Sequence, residues 1–165
     1  IKQLPQFSFF CVVDGLGHGE EASIAANKAY ECIRIYYYLP LEEIIEKCHQ
    51  SMKQTRGAVL SVCRIHRIEN KFEYLGVGNV ELKVTNQPSQ IKIYNHNGTV
   101  GMQMEHFRVQ ESKYYSGATF IMYSDGIKDF HLENEVLRMS PQKIASFIMD
   151  NFSRSNDDAT VLVAR

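Results

Sequence analysis

Phe9-Phe10-Cys11-Val12-Val13-Asp14-Gly15-Leu16-Gly17-His18-Gly19 is an apolar run that delivers one carboxylate into a glycine-rich turn. The run reads as a central strand over 7–13, because a strand covered on both faces is apolar at nearly every position. The arrangement recurs at Ile121-Met122-Tyr123-Ser124-Asp125-Gly126. Near the C-terminus, Asp157-Asp158 leads into a third apolar strand, Ala159 to Ala164. Three strand-end carboxylates point to one shared task, and carboxylate-rich, thiolate-free sites suit hard cations such as Mg²⁺ and Mn²⁺. Asp-Gly is also the commonest turn dipeptide, so three ordinary turns stand as the alternative reading.

Outward from the first turn, the spacing predicts a helix over 20–38. Ala22, Ala25, Ala29, Ile33 and Tyr36 mark its inner face, and Asn27, Lys28, Glu31 and Arg34 its outer one. Glu20 and Glu21 suit the positive end of the helix dipole. Leu39-Pro40 ends this helix and opens another over 41–53, with Leu41, Ile44, Ile45, Cys48 and Met52 inward. After Gly57 the period changes. Val59–His66 and Lys71–Val77 read as a hairpin joined through Glu69-Asn70. Val80–Thr85 and Gln90–Tyr94 read as a second hairpin around Asn86-Gln87-Pro88-Ser89, and Asn95–Gly101 as a loop. Met104–Val109 and Ala118–Tyr123 complete the middle strands. A closing helix over 141–152 carries Ile144, Phe147, Ile148 and Phe152 as its stripe. Strands and helices do not alternate regularly, which argues against a doubly wound parallel sheet. The fold class is α+β, with helix pairs covering antiparallel sheets.

Composition narrows the classes further. A chain of 165 residues defaults to one domain, 1–165, with a sizeable core. The hydrophobic fraction of 44%, charged fraction of 22% and net charge of −1 are those of an ordinary globular chain. No nucleic-acid or membrane partner is expected from that balance, and no apolar run approaches the ~18 residues of a membrane span. The chain begins at Ile1 without a signal peptide, so upstream residues are expected to be missing. Cys11, Cys32, Cys48 and Cys63 form no CxxC pair and read as reduced core thiols, which favours the cytosol. Tyr36-Tyr37-Tyr38 reads as a helix end wrapped around the core edge, with a partner-binding aromatic patch as the other reading.

Several motif readings fail. Gly15 and Gly17 begin a GxGxxG whose third glycine position holds Glu20, so no dinucleotide fingerprint is present. No Walker lysine follows a GxxxxG run. Leu16 stands where an EF-hand loop needs Asp or Asn, and no GxSxG marks a serine hydrolase. A metal pair held about 3.5–4 Å apart by converging carboxylates, by contrast, can clamp a phosphoryl group. Gly15 and Gly126 fit that scheme, because a backbone carbonyl becomes a ligand only where nothing crowds the approach.

The order of motifs adds a further reading. Val12-Val13-Asp14-Gly15-Leu16-Gly17-His18-Gly19, Arg56-Gly57-Ala58, Gly76-Val77-Gly78-Asn79-Val80, Ser124-Asp125-Gly126 and Asn156-Asp157-Asp158-Ala159-Thr160 together resemble the PPM (type 2C-like) family of metal-dependent serine/threonine protein phosphatases. The DG-x-GHG form is similar to the bacterial SpoIIE/RsbU/RsbX branch. Shortness and the stretch Glu46–Lys53 before Arg56-Gly57-Ala58 most resemble its RsbX type, which resets the stressosome. The resemblance covers nearly the whole chain. It implies an α-β-β-α sandwich of two antiparallel sheets flanked by helices, with two Mn²⁺ or Mg²⁺ ions at one edge. Asp14 would bridge both ions, Gly15 would give its carbonyl to one, and Asp125 and Asp157 would bind the other. Asp158 would support the ligands from behind. Water acidified by the ions would attack phosphorus in line, without a phosphoenzyme.

His18 is the candidate general acid for the leaving oxygen. In larger members of that family the histidine directly follows Asp-Gly, whereas here it lies two residues later. A structural histidine packing the turn is the other reading. Gly17 and Gly19 serve tight backbone geometry, and Asn79, at a glycine-flanked strand end, reads as a plain turn asparagine or as a residue that approaches the site. Family members carry an N-terminal strand with a further acid, for which the residues before Asp14 leave little room. Lys2 is the only basic residue there, so no arginine stands ready as a phosphate clamp.

The expected function is hydrolysis of phosphoserine or phosphothreonine on a bacterial signalling protein in the cytoplasm. The phosphorylated partner would be a stressosome scaffold or its sensor paralogue. Two alternatives are an anti-sigma-factor antagonist or sporulation regulator as substrate, and a catalytically weak module that only binds a phosphoprotein.

Overall fold

The computed structural model describes residues 1–165 except Gln87, Ser89, Glu105 and Asn156. The elements in order are β1 (Lys2–Gln3), β2 (Ser8–Gly15), α1 (Glu20–Tyr36), α2 (Leu41–Met52), β3 (Ala58–His66) and β4 (Lys71–Val77). They continue with β5 (Glu81–Thr85), β6 (Gln110–Lys113), β7 (Thr119–Tyr123), α3 (Asn134–Leu137), α4 (Pro141–Phe152) and β8 (Val161–Ala164). The strands form two antiparallel sheets, ordered β1-β2-β3-β4-β6 and β5-β7-β8.

Side-chain alternation builds the layers. From β2, Phe9, Cys11 and Val13 pack under α1 and α2 with Leu60, Val62, Leu75 and Val77. Phe10 and Val12 point the other way, into a core between the sheets with Phe72, Phe120, Met122 and Leu162. Ile121 and Tyr123 of β7 face outward, where Ile144 and Ile148 of α4 cover them. The result is the α-β-β-α sandwich. The expected inner faces of the paired helices are those observed: Ala22, Ala25, Ala29 and Ile33 of α1, and all five positions of α2, are buried.

Two expected strands are absent. Gln90–Tyr94 has the alternation of a strand, and its Ile91 and Ile93 do pack on the inter-sheet core. It joins no ladder: β5 pairs with β7, Glu81 opposite Tyr123, and stands at the edge of its sheet with no strand on its other side among the described residues. The Gln110 side chain stands in for a neighbour strand, accepting from Tyr94 N at 3.2 Å and donating to Tyr94 O at 2.5 Å. The described residues of 104–109 likewise run irregular, with Val109 N donating to Glu42 Oε1 at 3.2 Å. The edge strand beside β4 is β6, and the short β1 and α3 complete the departures. Gln87 and Ser89 of the expected turn, Glu105 of the expected strand and Asn156 of the last motif lie outside the described residues.

Arg64 ties the helical layer to its sheet. It is 7% exposed, opposite Glu73 in the β3–β4 ladder and paired with it at 3.3 Å. Its Nη2 donates to Leu39 O at 2.5 Å and Tyr37 O at 2.9 Å, satisfying carbonyls left open past the end of α1. All four cysteines are free thiols, and only Cys11 is less than buried. Among the described residues no helix is long and apolar enough to cross a membrane.

Candidate active site

Continuing the alternation of β2 by one step explains where Asp14 goes. Phe10 and Val12 face the inter-sheet core, so Asp14 follows them onto that face where the sandwich opens at one edge, opposite Val59 of β3. The next residue must be glycine: a Cβ on Gly15 would lie 2.1 Å from the Ala22 carbonyl oxygen, where the first turn of α1 crosses the strand end. Gly17 and Gly19 adopt φ of 84° and 79°, the left-handed conformations that turn the chain from strand into helix.

The second sheet supplies the opposite wall. Asp125 follows β7, and Asp157 and Asp158 precede β8. Backbone bonds knit these two segments together: Ser124 N donates to Thr160 O at 3.1 Å and Arg154 N to Gly126 O at 2.8 Å. The Arg154 side chain also donates, from Nε to Asp125 O at 2.9 Å. Glycine at 126 is what lets the segments touch, because a Cβ there would lie 2.0 Å from Asp158 O. Asp158 N donates to Asp157 Oδ1 at 3.0 Å, which fixes the Asp157 side chain. From a third direction, Asn79 Nδ2 donates to Asp125 Oδ2 at 2.5 Å.

These residues enclose an open cleft of about 640 Å³, walled by Asp14, Gly15, His18, Asn79, Asp125 and Asp157, with Ser155 and Asp158 alongside. A larger hollow of about 1600 Å³ runs between α1 and α2, with Ile24, Ile35, Met102 and Phe107 on its walls. Size does not decide the matter. The carboxylates converge in the smaller cleft, which makes it the candidate site.

Charge in the cleft is unbalanced. Burial first, then the Asp125, Asp157 and Asp158 carboxylates in that order, hold the Asp14 carboxyl above the usual carboxylate range. A cation among these groups would relieve that repulsion. Every donor side chain except His18 presents oxygen, the set that suits Mg²⁺ or Mn²⁺. Among the described residues no three His, Cys, Asp or Glu side chains close tightly enough to hold an ion unaided.

A family model described as Stage II sporulation protein E (SpoIIE) matches residues 8–165. The chain belongs to the SpoIIE family. It is a serine/threonine protein phosphatase with the type 2C-like fold, a class that depends on metal. Phosphoserine phosphatase RsbX of Bacillus subtilis (strain 168) is 27% identical over 157 residues, 93% of this chain and 78% of that protein. A chain solved in work on the bacterial stressosome, described as a modular system adapted to control secondary messenger signalling, superposes with a TM-score of 0.91. It is 29% identical, over 99% of this chain and 88% of that one. RsbX solved in complex with magnesium gives a TM-score of 0.83 at 25% identity, over 98% of this chain and 82% of that one.

Within this SpoIIE-family chain, the structure brings Asp14, Gly15, His18, Asp125, Asp157 and Asp158 to one cleft, as the motif order led us to expect. His18 is exposed on the cleft wall rather than packed under the turn. Two expectations change. Gly126 is small because the Asp158 backbone lies against it, not to open the approach to its own carbonyl. Asn79 takes the second of its two readings over the favoured one, since it reaches Asp125. The glycines of Gly76-Val77-Gly78-Asn79 were the available signal for a tight approach there. Arg154 was not singled out, and its position just before the last acidic pair was its only signal.

Proposed function

We propose that residues 1–165 form one phosphatase domain that removes phosphate from phosphoserine or phosphothreonine of a regulatory protein, in the cytoplasm and within a stressosome-type assembly. The convergence of Asp14, Asp125 and Asp157 beside Gly15 in one open cleft carries this reading. An exposed cleft suits a phosphorylated side chain on a protein surface, and the free thiols suit a reducing compartment. The similarity to the stressosome chain and to RsbX supports the choice of partner.

In this reading Asp14, the Gly15 carbonyl, Asp125 and Asp157 would hold two Mn²⁺ or Mg²⁺ ions, with Asp14 shared between them, the Gly15 carbonyl serving one and Asp125 and Asp157 the other. When bound, the ions acidify water and neutralise phosphoryl charge. Asp158 steadies Asp157 through its backbone N–H. His18 has open access to the cleft and donates a proton to the leaving serine or threonine oxygen. Arg154 is anchored to the Asp125 backbone through Nε, and among the described residues no partner holds its Nη groups, which would leave them to meet the phosphoryl oxygens.

Phosphate release from a phosphoserine peptide tests the reading. Turnover should require Mn²⁺ or Mg²⁺, stop on chelation, and disappear in Asp14→Ala and Asp125→Asn. Full turnover in either variant would refute the ligand assignment. Folded protein that binds the phosphopeptide without turning it over would make the chain a binding module.

A further inference from the structure

The inter-sheet core holds a cluster of buried polar groups at the end of β4. Ser61 of β3 and Tyr74 of β4 are both fully buried there, and Ser61 stands opposite Gly76 in the ladder. A Cβ on Gly76 would lie 2.2 Å from Asn95 Oδ1, 2.4 Å from Tyr74 Oη and 2.7 Å from Ser61 Oγ. The missing side chain is therefore the space in which three polar groups meet.

Asn95 reaches that space because its neighbour runs alongside the end of β4. His96 N donates to Gly76 O at 2.8 Å, and Gly78 N donates to His96 O at 2.9 Å. Asn95 Nδ2 then donates to Gly78 O at 2.8 Å and Val80 O at 2.7 Å, the two carbonyls that flank Asn79. Tyr74 Oη donates to Asn95 Oδ1 at 2.5 Å. Ser61 Oγ donates to Val80 O at 2.6 Å and lies 2.9 Å from Tyr74 Oη. Carbonyls only accept, so the Asn95 amide has one workable orientation. Burial raises the Tyr74 phenol, which keeps it a donor at neutral pH.

The path ends in the cleft. Asn79 is exposed on its turn, and free rotation there would cost entropy each time it met Asp125. Clamping both flanking carbonyls removes that freedom. Asn79 then occupies Asp125 Oδ2 at 2.5 Å and leaves Oδ1 for a cation. Groups that orient a ligand from behind act on metal affinity through that ligand.

We propose that Ser61, Tyr74 and Asn95 are positioning residues that fix Asn79 against Asp125, and so set the affinity of the cleft for divalent cations. The proposal rests on the assignment of Asp125 as a metal ligand made above. Gly76-Val77-Gly78-Asn79 is then a functional motif: one glycine makes room for the relay, and the asparagine delivers it.

Mn²⁺ binding to the whole chain, followed by calorimetry, tests this apart from turnover. Asn79→Ala and Tyr74→Phe should each weaken Mn²⁺ binding about tenfold. Asn95→Asp, which sets a carboxylate against two carbonyls, should do at least as much; if it fails to fold, Tyr74→Phe carries the test. Because the relay acts only through Asn79, adding Tyr74→Phe to Asn79→Ala should cause no further loss. Additive losses would overturn the relay, as would a Tyr74→Phe chain that melts lower yet binds Mn²⁺ as tightly as its parent. Asp125→Asn is the control. Unchanged Mn²⁺ binding there would overturn the ligand assignment and the relay together, whereas loss in Asp125→Asn with none in Tyr74→Phe would overturn the relay alone.

Discussion

Gly126→Ala puts a single methyl group between the two segments that carry Asp125 and Asp157. The backbone at 126 is open to any residue, so the effect is steric alone. The new Cβ would lie 2.0 Å from Asp158 O and 2.8 Å from Asp158 C, against an ordinary contact of 3.4 Å or more. Both contacts are with backbone, which cannot swing aside as a long side chain would. The loop before β8 must move by more than an ångström, carrying Asp157 and Asp158 away from Asp14. A misplacement of about 1 Å in a catalytic constellation costs about 100-fold in rate, or about 2.7 kcal/mol of transition-state stabilisation. The loop is exposed, so the fold should survive. The assay is kcat/KM on a phosphoserine peptide at saturating Mn²⁺, with Mn²⁺ affinity and a thermal melt alongside. We expect kcat/KM to fall about 100-fold and Mn²⁺ binding to weaken, with the cooperative melt retained. Parental kinetics and Mn²⁺ affinity would refute the claim that this close approach sets the site.

The remaining predictions concern charge. A raised folded-state pKa means that the metal-free fold binds the Asp14 proton more tightly than the unfolded chain does. That stabilisation is complete below the ordinary value of 3.8 and is lost as pH rises through the folded value. In chelator, Asp14→Asn should therefore be more stable than the parent in urea at pH 7, by a margin that shrinks toward pH 4; a less stable variant at pH 7 would contradict the repulsion argument. His18→Ala should lower kcat and remove one limb of its pH profile, and an unaltered profile would exclude it as the acid. Arg154→Ala should raise KM for the phosphopeptide while leaving Mn²⁺ affinity alone. Arg64→Ala leaves two carbonyls without their donor and Glu73 with His66 alone at 3.2 Å among the described residues, a loss of about 1–3 kcal/mol. At about 2–4 °C per kcal/mol for a chain of this size the melt should drop by at least ~2 °C, and an unchanged melt would deny Arg64 its tie.

Legibility divided along the range of the interactions. Strand and helix periods are local. The inward positions of α2, Leu41, Ile44, Ile45, Cys48 and Met52, could be read directly and are all buried. Each Asp-Gly or Asp-Asp turn behind an apolar run was likewise a local signal, and so was the order of motifs that carried the family resemblance. Partner choice is not local. Gln90–Tyr94 had a strand's alternation, yet β5 paired with β7 and the backbone of Tyr94 was held by the Gln110 side chain instead. Gln110–Lys113 pairs at the sheet edge with no apolar pattern to announce it, since an edge strand half open to water can be polar throughout. Asn79 and Asn95 carry no periodic signal at all. Their roles arise from bonds across 46 and 17 residues of chain, and a polar side chain in an irregular segment reveals its partner only when the backbone has been placed. The chain's residues alone thus determined the α+β class, the three long helices and the candidate carboxylates. Tertiary packing decided that those carboxylates share one cleft, which glycines are there for contact, and which asparagine holds Asp125, because each depends on segments distant in sequence approaching to within a hydrogen bond.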